Sequence, residues 1–161
     1  MAGMRIVPTR YDHPDAVKLD AMVQEEYAVR YGDEGDVTYL APHMFDPPRG
    51  LYLLGYDTDG SPVATGGWRT QEEVDEGYAR GDAEIKRMFV VREARGRGLA
   101  RRILAELEDS ARQAGRRRMV LETGLAQPEA IELYRSSGYE ETEKFGYYRF
   151  HGESRCFGKL L

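Results

Sequence analysis

The chain has 161 residues and a formal net charge of −5, with 41% hydrophobic and 32% charged residues. That composition fits one soluble globular domain over 1–161 with a sizeable core, and it excludes a disordered or fibrous chain. No apolar run reaches the length of a membrane span, no signal-peptide pattern is present, and the single Cys156 cannot form an internal disulfide, so a cytoplasmic protein without a membrane partner is expected. No Cys/His pair stands at metal-ligand spacing, and no metal is expected.

In chain order, Met4-Arg5-Ile6-Val7 reads as a short strand. Asp12-His13-Pro14 opens a helix, with Asp12 as N-cap, a proline in the first turn and Asp15 at the positive end of the dipole. This helix should run to about Tyr27–Tyr31. Residues 32–50 are irregular, broken by Gly32, Gly35, Pro42, Pro47, Pro48 and Gly50. Leu51–Tyr56 and Val63–Trp68 flank Asp57-Thr58-Asp59-Gly60, which predicts a β-hairpin. Residues 70–82 are acidic and loop-like.

The run from Glu84 to Arg102 organises the rest. Ile85, Met88, Phe89, Val90 and Val91 favour a strand. Arg95-Gly96-Arg97-Gly98 breaks it, since glycine tolerates φ > 0 and lets a ligand approach the backbone. From Ala100 the period becomes helical: Ala100, Ile103, Leu104, Leu107, Ala111 and Ala114 share a stripe, and Gly115 stands at its end. A glycine turn that opens a helix aims free N–H groups and the positive dipole at one point, which suits a phosphate. Arg92, Arg95, Arg97, Arg101 and Arg102 add charge nearby. Residues 85–118 hold eleven Lys/Arg against four Asp/Glu, a net +7, so the remainder carries −12. One basic stretch in an acidic chain suits a small polyanionic ligand and argues against a nucleic-acid partner, which needs a basic face.

Arg118–Thr123 reads as a buried strand, and Gln127–Gly138 as a helix with proline near its start and glycine at its end. Tyr139–Thr142 and Ser154–Leu160 are the last strand candidates, separated by an aromatic loop with Phe145, Tyr147, Tyr148 and Phe150. Hairpins first and strand–helix–strand units later predict a mixed α/β sheet.

Arg95-Gly96-Arg97-Gly98-Leu99-Ala100 fits the pattern Arg/Gln-x-x-Gly-x-Gly/Ala between a strand and a helix. Ala130, Leu133, Tyr134, Gly138 and Tyr139 fit a second helical element, and Ser154–Leu160 a last strand. In these residues the chain resembles the GNAT superfamily of acetyl-CoA-dependent N-acetyltransferases, from about residue 50 to the end and more weakly over the first strand and helix. Gln127 stands where many members have Asn. The resemblance implies a single α/β domain whose mixed, mostly antiparallel sheet is splayed at the central strand and flanked by helices. It implies acetyl-CoA as cosubstrate, with its pantetheine arm in the gap. Met88, Phe89 and Val90 would offer backbone groups to the acetyl carbonyl and pantetheine. Backbone N–H groups of Arg95, Gly96, Arg97, Gly98, Leu99, Ala100 and Arg101 would cradle the pyrophosphate. The acceptor would be a small-molecule or protein amine; a homodimer is compatible with the pattern.

Acetyl transfer needs an oriented thioester, a neutral amine, a donor for the developing oxyanion and a proton for the thiolate. Orientation alone supplies about 7–11 kcal/mol. A strand N–H near Met88, freed by the splay, is the candidate oxyanion donor. Tyr134 is a core aromatic on pattern alone, and the resemblance makes it a general acid toward the thiolate. A phenol of pKa ~10 protonates a thiol of ~8.5 only uphill, so its effect should be modest. Glu84 lies four residues before Met88, on the same face of an unbulged strand. The resemblance implies a general base, since some family members carry one at this point; otherwise it is a solvated strand glutamate or a partner for Lys86 or Arg87, and Glu122 is the reserve candidate. A carboxylate of ~4.3 is a poor base for an ammonium of ~10.4 unless it is buried or relayed by water.

His13, His43 and His151 lack a partner at telling spacing, and Cys156 reads as a small buried hydrophobe. The acidic runs 33–36 and 72–76 either attract a cationic amine or are solvated loops. Trp68, Tyr147 and Tyr148 either wall an acceptor pocket or pack. The rival from another class is a non-catalytic acyl-CoA-binding protein or sensor.

Overall fold

The Asp57–Gly60 turn closes as its residues direct, with the Gly60 N–H donating to the Asp57 carbonyl at 2.9 Å. It joins β2 (Gly50–Tyr56) to β3 (Pro62–Gln71) in an antiparallel pair. The computed structural model describes residues 3–32, 35, 36, 38–72 and 75–161. It extends this hairpin with β1 (Arg5–Pro8), β4 (Asp82–Val90), β5 (Arg118–Gly124), β6 (Glu140–Thr142) and β7 (Ser154–Leu160). They form a seven-stranded sheet in the order β1-β2-β3-β4-β5-β7-β6. Each neighbouring pair is antiparallel except β4 with β5. Three helices flank the open sheet: α1 (Pro14–Tyr31), α2 (Leu99–Gln113) and α3 (Pro128–Ser136). This is the expected mixed α/β class.

α1 begins one residue later than its predicted cap. His13, not Asp12, is the N-cap, its Nδ1 accepting the Asp15 N–H at 3.0 Å, while Asp12 is drawn to Arg10. The irregular segment before β2 contains a short 3-10 turn, Pro42–Phe45, whose buried Phe45 stacks with Tyr11 and Tyr52 at centroid distances of 5.0 and 5.3 Å. α2 buries Leu99, Ile103, Leu104, Leu107 and Ala111, nearly the predicted stripe. Leu99 replaces the half-buried Ala100 at its start. Glu108 is buried on the same helix, where it accepts from Tyr139 Oη at 2.8 Å and Lys159 Nζ at 3.1 Å.

Two features of β4 position the site. First, its parallel contact with β5 is confined to Ala83↔Met119 and Glu84↔Val120, so the two strands part beyond Glu84. Second, β4 is bulged. Its register against β3 passes from Gly67↔Lys86 to Thr65↔Phe89, which leaves Arg87 and Met88 opposite Gly66 alone. Arg87 takes φ 59, a left-handed conformation costly for a long side chain. The guanidinium holds it there, bonded to Asp20 at 2.6 Å and Asp36 at 2.7 Å. Gly66 admits the bulge, since a Cβ there would stand 2.5 Å from Met88 Sδ and 3.0 Å from Ile103 of α2.

The extra residue resets the alternation. Met88 lies on the α2 side of the sheet with Trp68, whose Nε1 donates to Ser110 of α2. Glu84 lies on the other side. The shared face expected for Glu84 and Met88 is therefore corrected by the bulge.

Candidate functional site

The site has two parts, a turn and a gap. At the turn, Gly96 (φ 82) and Gly98 (φ 77) are left-handed, and a Cβ at either would meet nothing within 4 Å. Gly98 is the N-cap of α2, with no side chain capping the helix. The first-turn N–H groups therefore face open space along the positive end of the dipole, as an anion site requires. Leu99 is core and contributes backbone only.

The arginines are less free than their number suggests. Arg95 donates to the Val90 carbonyl and to Glu26, both at 2.9 Å. Arg97 grips Asp57 with two bonds, 3.0 and 3.1 Å, which hold the Asp57 carboxyl down at about 2. Arg101 ties α2 to the end of α3 through Ser136 Oγ at 2.7 Å. Arg102 reaches toward the Met4 carbonyl instead. What the turn offers to an anion is thus backbone N–H groups more than a cluster of uncommitted guanidinium groups.

The gap opens where β4 and β5 part. Beside it lies a cavity of ≈ 240 Å³ lined by Lys86 of β4, by Glu122, Thr123 and Gly124 of β5, by Tyr27 and Tyr31 of α1 and by Ser154 of β7. Gly35, Asp36, Gln127, Tyr148 and the segment His151–Glu153 complete its wall. None of Tyr27, Tyr31 and Lys86 was singled out from sequence. Tyr27 and Tyr31 stand four residues apart on one helical face, a signal that core packing would produce equally well.

Two carboxylates mark the face of the sheet away from α2. Glu84, 2% exposed, accepts from Arg69 Nε at 2.9 Å, Gln71 Nε2 at 2.7 Å and Tyr78 Oη at 2.8 Å. Burial alone would raise its pKa, but the charges of Lys86 and Arg69 and the bonds from Gln71 and Tyr78 hold it below the ordinary value. Glu122 has one such partner, Ser154 Oγ at 2.6 Å, and burial pushes it up to about 7. Glu84 and Asp36 add to that rise, while the Ser154 bond and Lys86 oppose it. Asp36 is lowered despite burial, because Lys86 and Arg87 both press charge on it.

Tyr134 is 5% exposed on α3, stacked edge-on against Tyr139 at 5.7 Å. Burial, with a smaller effect from Tyr27, raises its pKa. Its hydroxyl has no hydrogen-bond partner among the described residues. Phe89 and Val90 follow the bulge on β4, paired with Thr65 and Ala64. Trp68 is core, Tyr147 is exposed, and Tyr148 alone of the three aromatics walls the cavity. Burial raises the Cys156 thiol to about 11, which makes it an inert core residue. Of the acidic runs, Asp36 joins the site and Glu76 pairs with Arg149, whereas Asp33, Glu34, Glu73 and Val74 lie outside the described residues. Among the described residues no cluster of metal-ligating side chains occurs, and no helix is long and apolar enough to cross a membrane.

The sequence matches the model of the acetyltransferase (GNAT) family over residues 17–139. A stretch of 68 residues is 47% identical to the IAA acetyltransferase of Azospirillum brasilense; it spans 42% of this chain and 44%, less than half, of that protein. Among solved structures, a Klebsiella pneumoniae protein assigned to the acyl-CoA N-acyltransferases matches with a TM-score of 0.78 at 26% identity, covering 98% of this chain and 97% of that one. A GNAT acetyltransferase from Elizabethkingia anophelis, solved with acetyl-CoA bound, shares the fold at a TM-score of 0.67 and 13% identity over the whole of both chains.

Proposed function

Because this chain belongs to the acetyltransferase (GNAT) family, we propose that it moves the acetyl group of acetyl-CoA to an amine by direct attack of that amine on the thioester, in the gap between β4 and β5. The observation that carries this reading is the juxtaposition of an uncapped, glycine-opened helix with a sheet that parts beside it.

Backbone N–H groups from Gly96 to Arg101 hold the pyrophosphate, in the space a Cβ at Gly96 or Gly98 would enter, whereas the Arg95 N–H, expected among them, is taken by the Arg92 carbonyl at 3.3 Å. The β4 backbone at Met88, Phe89 and Val90 holds the pantetheine arm. The bulge frees an N–H near Met88 to stabilise the oxyanion, a contribution that is worth about 2.7–4 kcal/mol in comparable sites. When bound, acetyl-CoA supplies the activated acyl group.

Glu122 takes the base role, in preference to Glu84. Its carboxyl sits near neutrality, lines the cavity and has one hydroxyl donor to orient it. Glu84 is held ionised by three donors and serves the site as a fixed negative charge. Tyr134, whose proton is uncommitted, gives it to the departing thiolate. Its raised pKa makes that step further uphill than for an ordinary phenol, so Tyr134 assists a leaving group that departs fairly well alone.

Calorimetry with acetyl-CoA tests the reading. One ligand should bind per chain and raise thermal stability by about 2.7 kcal/mol at a hundredfold excess over Kd. Gly98→Val should bind at least about tenfold more weakly, because the side chain enters the anion's space and strains a left-handed residue. No heat and no melting shift for the parent at millimolar ligand would refute it.

A further inference from the structure

Lys86 has donors to spare. It is 8% exposed and lines the cavity from β4. An ammonium carries three donors, yet the only partner of Nζ among the described residues is Asp36 Oδ2, at 3.1 Å. Asp36 is itself fully engaged: the same oxygen accepts from Arg87 at 2.7 Å, and Oδ1 accepts the Thr38 N–H at 2.9 Å. Asp36 thus lies between two cations, and Asp20 answers only Arg87; Glu84 and Glu122 feel the charge of Lys86 but accept no hydrogen bond from its Nζ among the described residues. Buried donors without partners are costly, so the cavity is built to receive an acceptor group at Lys86. On the facing strand, Glu122 offers a carboxyl to an amine.

We propose that the acceptor is a free α-amino acid with an apolar side chain, its carboxylate on Lys86, its amine toward Glu122 and its side chain among the rings of Tyr27, Tyr31 and Tyr148. This rests on the transferase reading for the fate of the amine. The ammonium gives up one proton through Glu122 to solvent; its second restores the Tyr134 hydroxyl, whose own proton has gone to the departing thiolate. An N–C amide bond forms, the thioester C–S bond breaks, and the products are an N-acetyl amino acid and the free thiol. Charge argues for the zwitterion. A diamine would set its second ammonium against Lys86 with Arg87 behind it, and Asp36, the described member of the acidic run expected to draw cations, is already neutralised by those two. At ≈ 240 Å³ the cavity is smaller than a pocket for a drug-sized ligand, which limits it to a molecule about as small as one amino acid.

The test is binding, which needs no turnover. The protein, free and saturated with coenzyme A, is titrated calorimetrically with L-phenylalanine and L-leucine and with their decarboxylated counterparts, phenethylamine and isopentylamine. Each amino acid should bind at least about tenfold more tightly than its amine, the scale of one hydrogen bond to a charged group. Lys86→Met should bring the ratio within about twofold, and Lys86→Arg should keep it. The parent's ratio decides even if Lys86→Met fails to fold. Amines that bind as tightly as the amino acids, or amino acids that fail to bind at millimolar concentration, would overturn the assignment. A parent that prefers amino acids yet does not bind acetyl-CoA would instead sink the transferase reading and leave the cavity's preference standing.

Discussion

Glu122 and Glu84 lie on one face of the sheet and shift in opposite directions because their partners differ. The Glu122 carboxyl rises in the fold from its ordinary 4.5 to about 7. Between those values the folded state binds more protons than the unfolded one, so this group makes stability fall as pH rises through the window. Glu122→Gln should therefore melt higher than the parent at pH 8 and equally at pH 4. It should also lose the limb of the rate profile that rises near pH 7 in the parent. An equal melting difference at both pH values would contradict the raised pKa. Glu84 works the other way: lowered in the fold, it contributes stability above its unfolded value that is lost as pH falls through its folded one. Glu84→Gln should mainly destabilise, by about 1–3 kcal/mol at pH 7, with turnover reduced far less than in Glu122→Gln; the reverse order of turnover losses would return the base role to Glu84. Tyr134→Phe keeps the ring stacked on Tyr139 and should melt within about 1 kcal/mol of the parent. Its kcat should fall by about a hundredfold, the low end for a general acid, with an unchanged KM for acetyl-CoA. Turnover within about twofold of the parent would make it a packing residue.

At the scale of elements, what was legible followed local chemistry. The β2–β3 turn, the proline and glycine bounds of α3 and the glycine turn before α2 all depend on residues a few positions apart, and all form as the sequence predicts. The β4 bulge does not depend on local residues. Arg87 is left-handed because Asp20 of α1 and Asp36 of the following segment hold its guanidinium, partners 67 and 51 positions away. No periodicity within β4 announces that, and a one-residue reset was enough to separate Glu84 from Met88. Gly66 permits the bulge, so Gly66→Ala tests its importance. The added methyl pushes on Met88 Sδ and Ile103 and should cost about 1–3 kcal/mol. Acetyl-CoA should bind more weakly in calorimetry as the β4 edge shifts, whereas unchanged stability and affinity would mean that Met88 yields freely and the bulge tolerates it.

Across the whole molecule, the charge asymmetry reads differently once folded. Part of the basic stretch is answered from the acidic remainder: Lys86 by Asp36, Arg87 by Asp20 and Asp36, Arg95 by Glu26, Arg97 by Asp57, Arg118 by Asp82, whereas Arg92, Arg101, Arg102, Arg116 and Arg117 form no ion pair among the described residues. The contrast of +7 and −12 is thus spent only in part on pairing within the fold, and the exposed Arg101 and Arg102 keep positive charge at the start of α2. Sequence therefore located the glycine turn before α2 but credited Arg95 and Arg97 there with more freedom than they have. The cavity was illegible for a related reason: its wall comes from α1, β4, β5, β7 and the aromatic loop, brought together only by the sheet order. On the proposed reading this gap transfers acetyl groups and Glu122 deprotonates the acceptor there. That reading is tested most directly by following thiol release from acetyl-CoA, and the acetylated amine by mass, in parent and Glu122→Gln across pH 5–9 with a panel of amino acids and amines. The parent should yield an N-acetyl product at a rate that rises through about pH 7, and the variant should lose about a hundredfold or more. Cofactor binding without any acetylated product, or a variant that matches the parent at every pH, would contradict it.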